Sequence, residues 1–509
     1  MQNYKTRQFK PLNAMLLSLF GLISKGTSVL FKIVLIAIIG TVGIGYYQLT
    51  FPLFVFLFSI SSVGIATTFT MQVAETGWNN TFRSGGFSYA RKSTFIVSII
   101  SSLLLVLLSP FIAKVQGSYE ITYIYYSVGV AIVCVSVLTF YRGVLRGNEL
   151  VKAYAISDIV EQFSKLILSV LLALLLIQFG EVYAVIGVFL GVSMSALVTL
   201  VYIKFALSKV NLLSEDKNEF KLFNKSQFLK FSFIAGLSSI LLPFVQFIDS
   251  IVVVRMLNRI GHSVTEATAL FGLSRGNISA LINLPNTIIV ALEFLLLPDI
   301  LKIKERKKVS RKCGSTLTIA FALGVFMGSI FFAFSDEILS LIYHGTLTET
   351  EKVIAQNLLK IGSLTVIFSS VSQIQSVVLQ GIKKLHLPII SLSVASIIKI
   401  IFELIFIGSL GIYAAELSNV LFYISLALTN GIFLIKNNVK FGNPINLVIL
   451  IGIIVWVTIT KLVYNFIVIK VNFIVAVSLA LLMTAIISVA LIAPIFIKLR
   501  KKDIIKKAM

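Results

Sequence analysis

The sequence predicts an all-α polytopic membrane protein of about fourteen transmembrane helices, built as two six-helix lobes plus two C-terminal helices. Three observations carry that expectation. The 509 residues are 57% hydrophobic and 13% charged, with a mean hydropathy of +0.98, outside the range of soluble globular domains. Apolar blocks of about 20 residues recur from end to end, each long enough to cross a hydrocarbon layer of about 30 Å. Basic residues gather in every second connection, as they do when helices thread a membrane alternately.

In order, the spans read as 12–38, 47–73, 92–113, 121–145, 156–178, 182–205, 228–256, 268–300, 313–334, 353–380, 387–408, 411–435, 444–466 and 472–498. The stretch KVNLLSEDKNEFKLFNKSQFLK is the longest polar interruption and divides the chain. An N-terminal lobe covers 1–208, a basic cytoplasmic linker 209–230 and a C-terminal lobe 231–436. Residues 437–509 supply the thirteenth and fourteenth helices and a basic tail. The first span carries Lys25 and Lys32 and lacks a small-residue cleavage site, so it reads as a retained helix and not a signal peptide. Only Cys134 and Cys313 occur, each in or beside a span, which leaves no disulfide framework.

A net charge of +23 could indicate nucleic acid, but its distribution excludes that reading. The connections containing Arg83 to Lys92, Arg142 to Lys152, Lys209 to Lys225, KIKERKKVSRK, Lys383 and Lys384, and Lys436 and Lys440, with both termini, hold about thirty of the cations, against about five in the alternate connections. One alternate connection, SDEILSLIYHGTLTETEK, is acidic. This pattern places both termini and the basic loops in the cytoplasm, facing anionic membrane lipid.

Catalytic patterns are nearly absent. His262, His344 and His386 have no metal-ligand spacing, and there is no phosphate-binding G-x-x-x-x-G-K-[ST] loop. Ser396 to Lys399 matches S-x-x-K by chance, without its companion motifs. Gly324 and Gly328 form a G-x-x-x-G that implies close helix packing. No enzyme is expected, and no cofactor beyond a possible coupling ion, sodium or a proton.

What remains is charge inside the spans. An ion at the centre of a bilayer costs about 2.5–3.5 kcal/mol on insertion scales, so these groups should face a polar interior. Lys25 and Lys32 are seven residues apart on one helix face. In SDIVEQFSK, Asp158, Glu161, Gln162 and Lys165 form one stripe. The seventh span carries Gln246, Asp249 and Arg255, and the eighth Arg275 and Glu293. In the eleventh, Lys399 and Glu403 are four apart and able to pair, and along the fifth Asp158 and Lys165 share one helix, seven residues apart. Lys25, Lys32 and Arg275 have no acidic partner evident in sequence. Cations without partners in a membrane cavity suit an anionic substrate.

Several segments resemble a known family. SKGTSVLFKIVLIAIIGTVGIGYYQLTFPLFVFLFSISSVGIATTFTMQVAE, YRGVLRGNELVKAYAISDIVEQFSK, LLPFVQFIDSIVVVRMLNRIGHSVTEATALFGLSRGNISALINLP and GIYAAELSNVLFYISLAL resemble the stage V sporulation protein B branch of polysaccharide exporters. That branch includes MurJ-type lipid II flippases. The resemblance implies the fourteen-helix fold of the multidrug/oligosaccharidyl-lipid/polysaccharide exporter superfamily, with two six-helix lobes around a cavity. It implies substrate-facing cations at Lys25 and Lys32, where the family carries arginine, and at Lys165, with polar or coupling positions at Gln246 and Asp249. Two departures stand out: Glu403, where the family commonly has Asn, and Glu293, where it has small residues.

The resulting expectation is a flippase for a polyprenyl-diphosphate-linked glycan, working as a monomer in a bacterial cell membrane by alternating access. Lys25, Lys32, Lys165, Arg255 and Arg275 would form the cationic cavity, and Glu161, Gln246, Asp249, Lys399 and Glu403 its polar or coupling groups. A flippase for capsule, teichoic-acid or other repeat units, a cation-coupled drug antiporter and a non-transporting scaffold remain alternatives.

Overall fold

In the computed structural model, the described residues are 11–78, 81, 85–209, 224–303, 305–439 and 445–468, with isolated positions at 475, 480 and 483. Among them every regular element is helical, because backbone groups in hydrocarbon must be satisfied within their own segment. Ten helical stretches are long and apolar enough to cross a membrane, and thirteen of the fourteen expected spans coincide with observed helices. The fourteenth, 472–498, lies outside the described residues apart from those isolated positions.

The chain packs as two units, Met1–Gly272 and Leu273–Met509, each described on its own. The first contains α1 (Pro11–Phe58), α2 (Gly64–Thr76), α3 (Gly86–Gln116), α4 (Ile121–Gly147), α5 (Val151–Leu176), α6 (Glu181–Ser208), α7 (Lys225–Arg259) and α8 (Val264–Gly272). The first two expected spans meet without a loop. At Gly40 (φ 66°, ψ −174°) the helix breaks within α1, a backbone state that glycine adopts without the Cβ clash other residues meet. A five-residue π-helical turn, Ser59–Val63, then joins α1 to α2.

Helices α4 and α6 form the buried middle of this unit, with Tyr125, Phe140 and Phe189 almost wholly enclosed. Around them, α3 and α5 turn apolar faces outward: Leu107 is 75% and Phe111 67% exposed, surfaces that only lipid can cover. Helix α1 packs on α5 and α8, and α2 on α4 and α7. The approach of α1 to α8 is so close that a Cβ on Gly45 would collide with the Thr268 carbonyl. Helix α7 is held by Gln116, which donates to the Leu49 carbonyl at 2.8 Å and to Ser250 Oγ at 3.0 Å while accepting from the Tyr125 hydroxyl.

The second unit opens on a π-helical segment, Leu273–Ile278, and continues through α9 (Ser279–Ile282), α10 (Leu284–Lys302), α11 (Arg306–Ala333), α12 (Ser335–Ile342), α13 (Glu349–Gly381), α14 (His386–Leu410), α15 (Ile412–Lys436) and α16 (Ile445–Ile467). The eighth span, expected as one helix over 268–300, is therefore broken. A π segment carrying Arg275 inserts an extra residue per turn, a feature common at functional positions. Helix α13 starts at a reciprocal capping box between Thr348 and Glu351, and it packs on α10, α11 and α15. The glycine motif acts here as expected: a Cβ on Gly324 would lie 3.0 Å from Ile367 Cα, and one on Gly328 2.7 Å from the Ser363 carbonyl.

Candidate functional site

In the first unit the two sequence stripes meet. Ser28, on the Lys25–Lys32 face of α1, donates to Gln162 Oε1 on α5 at 2.8 Å. Three residues along each helix, the Lys165 Nζ stands 5.4 Å from the centre of the Phe31 ring. Phe31 immediately precedes Lys32, and the ammonium groups of Lys32 and Lys165 are near enough to repel one another. Both lysines are half-buried, neither sealed in the core nor spread on the outer surface. Lys25 lies on the same helix, and its side chain is outside the described residues.

The acids of the α5 stripe are held from a direction that sequence did not indicate. Asp158 and Lys165 were expected to pair along α5. Both carboxylates act electrostatically on Lys165, and Arg142, near the end of α4, also engages them, placing NH1 2.5 Å from Glu161 Oε2 and NH2 3.6 Å from Asp158 Oδ1. It also donates to the Ser157 carbonyl at 2.8 Å. In sequence Arg142 belongs to a basic connection. In the fold its guanidinium reaches across to the next helix, with 15% of the side chain exposed. The seam therefore contains three cations (Lys32, Lys165, Arg142) against two carboxylates (Asp158, Glu161). One unit of positive charge is left over, on the lysine side. Two like-charged ammonium groups held together away from bulk water are costly, and an anion between them removes that cost.

On α7 the three polar residues separate. Asp249 is buried and its neighbour Ser250 fully so, whereas Gln246 is exposed. Arg255 does not line a cavity with them. Its guanidinium donates to the carbonyls of Val115 at 2.5 Å and Lys114 at 2.8 Å, the last turn of α3. A cation at that position satisfies orphan carbonyls and opposes the helix dipole, so Arg255 caps the end of α3.

The second unit contains a separate cluster. Arg275, read from sequence as lacking an acidic partner, has two. Its NH2 lies 3.3 Å from Glu403 Oε1 and its NH1 3.6 Å from Glu416 Oε2, with NH2 also donating to the Ala415 carbonyl at 3.1 Å. The expected pair along α14 is present, with Lys399 Nζ 3.8 Å from Glu403 Oε1. Ser418 donates to Glu403 at 2.5 Å and Ser274 to Glu416 at 3.1 Å. Both carboxylates are sealed, at 0% and 1% side-chain exposure. Two cations face two anions, and each hydroxyl satisfies one oxygen of its carboxylate, while Glu403 Oε2 and Glu416 Oε1 are buried without a hydrogen-bond donor among the described residues. Glu416 was missed as a site residue, although a single carboxylate within the apolar span 411–435 was the available signal. Glu293 lies half-buried on α10.

Comparison with known proteins agrees with this architecture. The polysaccharide biosynthesis protein family matches residues 12–296, more than half of the chain, and the MatE family matches residues 302–405. Stage V sporulation protein B of Bacillus subtilis strain 168 is 22% identical over 342 residues, which span 64% of each chain. Among solved structures, a lipid II flippase MurJ in an inward closed conformation superposes with a TM-score of 0.70 at 16% identity. That match covers 96% of this chain and 99% of the other. An inward-facing multidrug resistance MATE family transporter reaches 0.66 at 14% identity, over 84% and 98%. These likenesses fix the fold as that of the exporter superfamily that contains both groups. The chain is a multi-pass membrane protein and belongs to the polysaccharide biosynthesis protein family.

Proposed function

We propose that this chain is a flippase that carries a polyprenyl-diphosphate-linked glycan precursor of the cell envelope across the cytoplasmic membrane by alternating access. The observation that carries the reading is the cationic seam between α1 and α5. Lys32 and Lys165 sit half-buried beside Phe31, where the neighbouring acids are already engaged by Arg142. A lipid-linked diphosphate needs a hydrophilic path only for its anionic head, since its polyprenyl tail can stay in lipid. Lys32 and Lys165, with Lys25 on the same helix, take the role of countercharges to the diphosphate. Flippase activity in the MurJ structural neighbour supports the same class of substrate.

The coupling role assigned to Glu403 changes with the second cluster. Glu403 already lies beside Arg275 and Lys399, so the position a mobile cation would take is filled by tethered ones. The cycle then runs without sodium, driven by the membrane potential, at about 2.3 kcal/mol per charge per 100 mV, or by consumption of the product outside. Asp249 keeps a polar role on α7 within the first unit.

The test is to deplete the protein in its native cell and extract the lipids. Polyprenyl-diphosphate-linked glycan should accumulate on the cytoplasmic side, and its head group identifies the substrate as a peptidoglycan, capsule or teichoic-acid precursor. No accumulation of any lipid-linked intermediate, together with raised drug sensitivity, would place the protein among the drug exporters instead.

A further inference from the structure

A second cationic site lies away from the α1–α5 seam, on the outer face of the first unit. Arg91 and Lys92 at the start of α3 and Lys204 near the end of α6 line one cavity of about 320 Å³, floored by Phe140 and Leu200 and walled by Phe95. No carboxylate is among the described lining residues. All three cations are exposed, as are Phe95 (49%), and Val201 (69%) and Phe205 (59%) beside Lys204 on α6. The cavity thus opens between two helices whose outer faces are apolar. Its three walls agree on depth: the first turns of α3 and the last turns of α4 and α6, which flank the basic connections, all lie at one end of the helices. Positive groups at that level, beside an apolar slot, match a phosphate attached to acyl chains. A free phosphate has no use for the aromatic wall, and a neutral lipid has none for three cations. The volume, at the low end for small-molecule pockets, accommodates a head group and leaves the chains along α3 and α6.

We infer that Arg91, Lys92 and Lys204 form a binding site for the phosphate of an anionic membrane phospholipid, distinct from the seam proposed for the transported diphosphate. Arg91 is braced for this role by the Phe87 ring, 5.4 Å from its guanidinium carbon. Lys92 and Lys204 approach from separate helices, so an occupied site ties α3 to α6.

The experiment uses the full-length protein in neutral detergent and follows its thermal unfolding as lipid is added. Short-chain phosphatidylglycerol should raise the midpoint and phosphatidylcholine should not. Removing each cation should weaken the apparent affinity by about fivefold, and the triple variant Arg91→Gln/Lys92→Gln/Lys204→Gln by about a hundredfold. A control changing Lys152, Lys383 and Lys436 to Gln carries the same net charge and should keep the wild-type response. Equal responses of the triple variant and the control would overturn the proposal. So would a response to undecaprenyl diphosphate with none to phosphatidylglycerol, which would make this an outpost of the substrate path. Should the triple variant not fold, a photoreactive phosphatidylglycerol on wild-type protein decides the matter: label on peptides 86–99 and 197–208 supports the site, and label confined to other peptides refutes it.

Discussion

Replacing Arg275 by Gln tests the buried cluster of the second unit. The guanidinium lies 3.3 Å from Glu403 and 3.6 Å from Glu416. At an effective dielectric of about 20, each contact corresponds to about 5 kcal/mol of attraction. The measurable loss is smaller, because a carboxylate left behind takes up a proton and Lys399 remains 3.8 Å from Glu403. Breaking a buried pair by removing one partner costs about 3–5 kcal/mol, which is the loss predicted for Arg275→Gln. Glu403→Gln should cost a similar amount. The double variant leaves Lys399 with Glu416, one cation to one anion, so its loss should fall short of the sum by at least about 2 kcal/mol. The assay is a denaturant titration of purified protein in one detergent, followed by circular dichroism. Losses that add to within about 0.5 kcal/mol would show that the charges are not coupled and that the cluster contributes nothing as a unit.

Four further outcomes follow from other contacts. Arg255→Ala should cost about 1 kcal/mol through the uncapped end of α3 and leave translocation intact, whereas a cavity role would abolish transport. Gly45→Ala should disrupt the α1–α8 contact, since the added methyl meets the Thr268 carbonyl; a variant as stable as wild type by thermal unfolding would contradict that packing. A cysteine at Thr348 should react with an impermeant reagent from outside the cell and one at Lys308 should not, as the alternating basic connections require; the reverse pattern would invert the topology. Ahead of the eighth span, the Glu266 carboxylate accepts from the Ser263 N–H while the Glu266 N–H donates to Ser263 Oγ, and above all the bond from the Ser263 N–H holds the carboxyl below the ordinary value of 4.5. A depressed folded-state value means this cap is present above about 4.5 and lost as pH falls through the lower value. Amide exchange at residues 264–268 should accelerate only in that acid range, and not in Glu266→Gln, whose exchange should not vary between those conditions beyond its intrinsic pH dependence.

The parts of the fold that sequence made legible are those encoded within one helix. Length and hydropathy located the spans, and three- and four-residue spacing put Lys32 and Lys165 on the faces that meet. Lys399 and Glu403 were readable as a pair because their spacing alone brings them together. Contacts between helices were not readable. Glu416 lies 141 residues from Arg275, and only the folding of α15 against α14 brings its carboxylate near. Arg142 looked like a topology residue because it stands beside a loop. Its reach onto α5 depends on how α4 ends. Arg255 had the composition of a cavity residue, but the carbonyls it caps belong to α3, 140 residues earlier. The break at Gly40 and the π segment at Arg275 are backbone choices that hydrophobic periodicity does not record.

The central claim is that Lys32 and Lys165 neutralise a lipid-linked diphosphate, and flipping in proteoliposomes tests it directly. Wild-type protein should move a fluorescent polyprenyl-diphosphate glycan across the bilayer at the same rate in sodium as in potassium. Lys32→Ala should slow it at least about tenfold, the loss of one charge contact of about 1.4 kcal/mol or more, and Lys32→Arg should restore it. A Lys32→Ala/Lys165→Ala protein that flips the lipid at the wild-type rate would contradict the account.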